Sequence, residues 1–203
     1  MKRSAILLSA IFFLFSAGSA LAQQADISLS AIGAFTDHVS GDGVHEWATT
    51  SGGGLLSFRH FSQQTGPGLE VNYGYTKNSQ IYVDSSYTKT SVQASIHEFS
   101  GAYVYRFKTA FVQPFLRAGG GLLIFSPTSS ASDNAEPTIS RKWQPAFMFG
   151  GGADLPLSRH LGLRAQYRGF VYKAPDFFGQ QYMRHTGSAM VMSEPAMGVV
   201  LHF

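Results

Sequence analysis

Residues Met190 to Phe203 read MVMSEPAMGVVLHF. Counted back from Phe203 in steps of two, Leu201, Val199, Met197, Pro195 and Val191 share a face that only Ser193 interrupts. The opposite face carries His202, Val200, Gly198, Ala196, Glu194, Met192 and Met190. A side-chain period of two is that of a β-strand with one apolar face, here ending on an aromatic residue.

Seven earlier stretches carry the same period: Asp26–Thr36, Ser51–Phe61, Pro67–Asn78, Val92–Phe107, Phe111–Phe125, Trp143–Leu155 and Leu161–Tyr172. The third alternates most cleanly, with Leu69, Val71, Tyr73 and Tyr75 against Glu70, Asn72, Gly74 and Thr76. Gly52-Gly53-Gly54 blurs the start of the second. The connections alternate long and short, beginning with a long one. With eight strands, both chain ends then fall on the side of the short turns. Gly119-Gly120-Gly121 and Gly150-Gly151-Gly152 lie in mid-strand, where glycine permits close packing or a sharp bend. Pro114 and Pro145 lie near strand ends, but Pro195 does not. A closed sheet has no free edge to tolerate it, so a bulge or a lost ladder bond is expected there.

The chain has 203 residues, enough for one domain. Lys2 and Arg3 precede an apolar run from Ala5 to Phe15, and small residues lead to Ala20-Leu21-Ala22. This is the pattern of a secretory signal peptide over 1–22, cut after Ala22, with the barrel domain over 23–203. Loss of Lys2 and Arg3 lowers the formal net charge from +3 to +1, and no Lys/Arg cluster suggests nucleic acid. Cysteine is absent, which excludes disulfides and thiolate metal sites. No second apolar run is long enough for a membrane helix, so a membrane-spanning form of this chain must be a closed barrel.

Arg59, Glu70, Glu98, Arg106, Arg117, Asp154, Arg164, Arg168 and Glu194 all fall on the face opposite the apolar one. Five arginines against four carboxylates is the composition of an interior ion-pair network. Lys77, Lys89, Lys108, Lys142 and Lys173 fall instead at strand ends and in loops. Arginine suits a desolvated, multidentate network better than lysine does. Tyr73, Tyr75, Tyr103, Tyr105, Phe107, Trp143, Phe147, Tyr167 and Phe203 are expected to form girdles at the two membrane interfaces.

The chain resembles the small eight-stranded outer-membrane β-barrels, the group that includes the membrane domain of outer membrane protein A. The matching segments are QPFLRAGGGLLIF (Gln113–Phe125), FGGGADLPLSRHLGLRAQYR (Phe149–Arg168) and AMGVVLHF (Ala196–Phe203). The resemblance covers the chain after the signal peptide. It implies an all-β, antiparallel, up-and-down transmembrane barrel in the outer membrane of a Gram-negative-type bacterium. It also implies that Phe203, with Leu201, Val199 and Met197 before it, is read by the barrel-assembly machinery. The partners expected are therefore outer-membrane lipids and that machinery, with any ligand of the external loops unspecified. Fold does not choose a function in this group, which includes structural, adhesive and lipid-modifying members.

No pattern calls for a cofactor. The first long loop, TDHVSGDGVHE, places His38 and His45 near Asp37, Asp42 and Glu46, but matches no fixed metal-ligand spacing. A lipid-modifying enzyme needs a His, a Ser and an acid together near the outer rim. His97 alternates with Glu98 and so points away from it and Ser100. His185 and Ser188 have no carboxylate at a matching spacing. The expected role is structural, or binding through external loops, with the lumen plugged by charged side chains. Lipid A acyl chemistry, and a soluble exported barrel holding an apolar ligand, are the alternatives. The last loop exposes Phe177, Phe178, Tyr182 and Met183, and packing of this loop over the barrel mouth is expected.

Overall fold

The computed structural model describes residues 25–41, 43–63, 65–83, 89–109, 111–132, 140–175, 177 and 188–203. The expected signal peptide and its cleavage at Ala22, and loop residues Asp42, Phe178, Tyr182, Met183 and His185, lie outside them. No helix occurs among the described residues. The strands are β1 (Ala25–Thr36), β2 (Val39–Gly41), β3 (Val44–Ala48), β4 (Ser51–Phe61), β5 (Gly66–Val83), β6 (Lys89–Arg106), β7 (Gln113–Ser132), β8 (Lys142–Pro156), β9 (Leu161–Lys173) and β10 (Ala189–His202). All but β2 and β3 close into an eight-stranded antiparallel barrel, each pairing with the next in chain order and β10 returning to β1. Met197 on β10 pairs with Ala31 on one side and Ala165 on the other, so the last strand is the seam.

Crossing the ladders from Asp26 through Arg59, Glu70, Ala102, Gly119, Met148, Phe170 and Met192 returns to β1 at Thr36, ten residues along. That stagger over eight strands tilts them by about 40° and leaves a lumen that side chains can fill.

The short turns, 62–65, 107–112 and 157–160, lie at the end that also holds Ala25 and Phe203, where Phe203 N–H donates to Ala25 O at 3.0 Å. At the opposite end β5, β6 and β7 run far past their neighbours. The third strand continues from Asn78 to Val83, and the fourth begins at Lys89 rather than Val92. The second long connection is therefore only 84–88, because the pairs Ser79↔Gln93 to Val83↔Lys89 extend the hairpin. The fifth strand likewise continues to Ser132, while at the short-turn end it begins at Gln113 rather than Phe111. These extensions are rich in Ser, Thr and Gln. The apolar alternation fades there, although the backbone remains paired. Lys77, expected near a strand end, consequently lies within β5, outward and opposite Ser95. The first long loop folds into the β2–β3 hairpin, whose β3 pairs with the far end of β5 (His45↔Val83).

The prolines follow the same economy of ladder bonds. Pro114 and Pro145 lie near strand ends, and the β8–β9 ladder starts only after Pro145, at Ala146↔Tyr172. At Pro195 the β1–β10 pairing lapses, running to Ile32↔Ala196 and resuming at Phe35↔Ser193 in unchanged register. The outcome is lost ladder pairing rather than a bulge. A bulge does occur between Gln93 and Ala94, where β7 accommodates Pro127. The glycine triplets mark close backbone approach. A Cβ on Gly119 would lie 2.1 Å from the Gly101 carbonyl oxygen, and one on Gly150 would lie 2.2 Å from that of Tyr167.

Large apolar side chains cover the outside, among them Leu29, Leu69, Val71, Leu116, Leu163, Val199 and Met197. Inside, two storeys differ in chemistry. The storey toward the short turns is charged. The storey toward the long loops is mainly apolar and packs Leu123, Phe125, Met148, Phe170, Met190 and Met192 around Tyr172, with Glu46, Gln80 and Thr90 also buried there. The simple rule of apolar outside and polar inside thus fails in the upper storey. Side chains there fill a protein interior rather than face water or lipid.

Candidate functional site

Among the described residues, the lumen is where ionisable groups gather in number. Every second residue of a strand points inward, so one Arg or acid at that parity places its charge on the barrel axis. Arg59, Glu70, Glu98, Arg106, Arg117, Asp154, Arg164, Arg168 and Glu194 all point inward and are buried. Asp26, on the same face of β1 as Ser28 and Ser30, joins them and is buried too. It was missed because it opens its strand, yet its parity was legible. With Asp26 the lumen holds five arginines and five carboxylates among the described residues.

These charges form two groups along the axis. Nearest the short turns, Asp26 and Asp154 share Arg164, whose Nη2 donates to Asp26 Oδ1 at 2.9 Å and whose Nε donates to Asp154 Oδ1 at 2.6 Å. Arg164 Nη1 also donates to Ser28 Oγ at 2.8 Å. Arg106 Nη2 donates to Asp26 Oδ2 at 2.5 Å. Arg59 donates from Nε to Glu70 Oε2, and its Nη1 lies 3.6 Å from Asp154. Arg117 Nη1 donates to the other oxygen of Glu70 at 2.6 Å, and its Nη2 donates to Gln166 Oε1 at 3.0 Å. Above them Arg168 grips Glu98 through both terminal nitrogens, at 2.8 and 2.7 Å, and also donates to Glu194. Ser100 Oγ donates to Glu98 at 2.7 Å.

Aromatic rings take guanidinium faces that carboxylates do not reach. Arg59 lies 3.9 Å over the Phe115 ring, which also meets Arg117 and Arg164 at 5.6 Å. Arg106 lies 3.8 Å over Phe61, and Arg168 lies 5.2 Å from Phe170. Such contacts suit arginine, whose flat, weakly hydrated face stacks where an ammonium would not.

The upper storey is packed mainly with apolar groups. Phe177, from the last long loop, is buried against Tyr82 and Phe125, and Tyr82 Oη donates to Pro175 O at 2.6 Å. This part of the last loop therefore packs into the mouth.

The remaining candidates are dispersed. His38 stacks on Trp47, and His45 Nδ1 bonds Ser40 Oγ at 2.7 Å. No group of metal-ligating side chains occurs among the described residues. His97 points outward, where its Nδ1 meets Tyr73 Oη at 2.9 Å, while Ser95 Oγ meets Tyr75 Oη at 3.3 Å. The outward His and Ser are thus each held by a tyrosine rather than by one another. Tyr167, expected at an interface, lies in mid-strand opposite Pro195, with its hydroxyl on Ser193 Oγ at 2.8 Å.

No protein-family model and no curated protein matches the sequence. The fold itself is that of solved eight-stranded outer-membrane barrels. Neisserial surface protein A matches with a TM-score of 0.55 at 16% identity, over 88% of this chain and 97% of that one. The attachment invasion locus protein Ail of Yersinia pestis matches with a TM-score of 0.51 at 13% identity, over 89% and 100%. Ail in complex with the heparin analogue sucrose octasulfate matches with a TM-score of 0.50 at 14% identity, over the same shares. At these identities the likeness is one of fold.

Proposed function

We propose that this protein is an outer-membrane barrel with a sealed lumen, acting as a structural element or as a surface binder through its long-loop end. The observation that carries the reading is the lumen. Five arginines and five carboxylates are packed there with aromatic rings, under an apolar storey capped by Phe177. Eight strands leave little space beyond the side chains themselves. The apolar outer belt fits lipid, and the short turns, with Ala25 and Phe203 beside them, fall on the periplasmic side. The long β5–β6–β7 ribbons and the β2–β3 hairpin then form a platform outside the membrane. Phe177 ties one loop of that platform to the barrel. The tyrosine-held His97 and Ser95 favour a role without acyl chemistry.

The test is planar-bilayer recording of the purified, folded protein. Silence, or only rare flickers, is the expected result. Steady, large conductance from the wild-type protein would overturn the sealed lumen and move the function toward passive transport.

Insertion is the second point. Phe203, Leu201, Val199 and Met197 stand on the outward face of the seam strand and are exposed. Read by the assembly machinery, they make the terminal aromatic necessary. Deleting Phe203 should leave the protein degraded or aggregated in the periplasm. Normal amounts of heat-modifiable barrel in the outer membrane would count against both the signal and the location.

A further inference from the structure

The short-turn end of the barrel holds a hollow of about 410 Å³ that the ion-pair network does not use up. Asp26, Arg106 and His202 line it from the lumen, with Thr65, Lys108 and Arg159 from the turns. Arg106 is only 8% exposed. Its Nη2 is taken by Asp26, and its face lies on Phe61, but its Nε has no hydrogen-bond partner among the described residues. That nitrogen is itself shut off from the hollow, as are Arg59 Nη1 and Nη2, Arg117 Nε and Arg168 Nε deeper in the lumen, so the donors open to the hollow are those of the turns. Lys108 and Arg159 stand exposed at the rim, and neither forms an ion pair among the described residues. Asp26 is the one carboxylate side chain lining the hollow, and it already serves Arg106 and Arg164. Ser158 Oγ, also in the lining, accepts the N–H groups of His160 and Leu161, which leaves its own O–H free to donate.

We propose that this hollow binds a phosphate-type oxyanion at the rim of the barrel, with Lys108, Arg159 and Ser158 as donors. Two uncompensated cations beside a hydroxyl with its proton to give match a group with more than one negative oxygen better than they match a neutral ligand. The same chemistry has two sources. One is free inorganic phosphate; the other is the phosphodiester of a lipid head group in the leaflet that this end meets. The site stands on the geometry of the hollow, so its failure would leave the barrel reading intact.

Isotope-labelled protein folded in uncharged detergent micelles is titrated with inorganic phosphate, against sodium chloride at equal ionic strength. Amide resonances of Lys108, Arg159 and His202 should shift and saturate with phosphate only. The double variant Lys108→Ala, Arg159→Ala changes exposed turn residues and leaves the lumen network alone. It should fold normally and bind about tenfold more weakly. Adding a short-chain phosphatidylglycerol to the micelles separates the sources. Displacement of phosphate assigns the site to a lipid head group, and no displacement assigns it to the free anion. Shifts no larger than those with chloride, or equal affinity in the double variant, would overturn the proposal.

Discussion

Replacing Arg168 by alanine is expected to destabilise the folded barrel by about 3–5 kcal/mol. Arg168 is fully buried and is the one cation bonded to both Glu98 and Glu194 among the described residues. Its removal leaves two carboxylates facing each other in a space closed above by Phe170 and Met192. Uncompensated buried charge, not the loss of a favourable bond, is what sets the size of the effect. Gln166→Ala is the control, since it removes one neutral partner of Arg117 and should cost about 1–3 kcal/mol. Urea titration of protein refolded into lipid vesicles measures both, followed by the fluorescence of Trp47 and Trp143. The triple variant Arg168→Met, Glu98→Gln, Glu194→Gln carries no charge at the cluster and should regain most of the loss. An Arg168→Ala barrel as stable as Gln166→Ala would mean that the upper ion cluster does not hold the lumen together.

Val199→Arg should cost about 2 kcal/mol, between the midplane and interface values, from the opposite side of the wall. Val199 is outward, with Leu29 and Leu163 as its ladder neighbours on β1 and β9. All three are well exposed to whatever surrounds the barrel. In water an arginine there would change little; in hydrocarbon its charge must be carried to the interface or hydrated where it stands. Leu163, its ladder neighbour on β9, lies at nearly the same depth and should cost about as much when changed to arginine. The same vesicle titrations decide. Indifference to Val199→Arg would place this face in water, and a soluble barrel would then be the better description.

Much of this architecture is legible in the chain. The eight long runs of period two correspond to the eight barrel strands, and the β4 bounds coincide with the run Ser51–Phe61. The boundaries that moved furthest are those at the long-loop end. The ribbon residues Ser79–Val83 and Lys89–Ser91 alternate weakly because neither face meets a uniform medium, so hydropathy does not reveal their pairing. The β2–β3 hairpin is hidden for the same reason: three- and five-residue strands are too short for any period to declare itself.

The candidate site divides along a similar line. Parity alone assigns each charge to a side of the sheet, and it would have assigned Asp26 as well. Parity does not say which charges meet. Arg106 and Asp26 are 80 positions apart, and Arg164 and Asp26 are 138 apart. Their meeting depends on the stagger of ten residues around the closed barrel, a sum of eight registers set by turns, the bulge at Gln93 and the lapse at Pro195. The side of the sheet on which a residue lies is local geometry, and the sequence by itself determined it, together with strand number and the near balance of charge. The pairing of those charges, the apolar upper storey and the seat of Phe177 in it were decided only by the tertiary structure. Each is a contact across the lumen, and a period of two carries no information about the far wall.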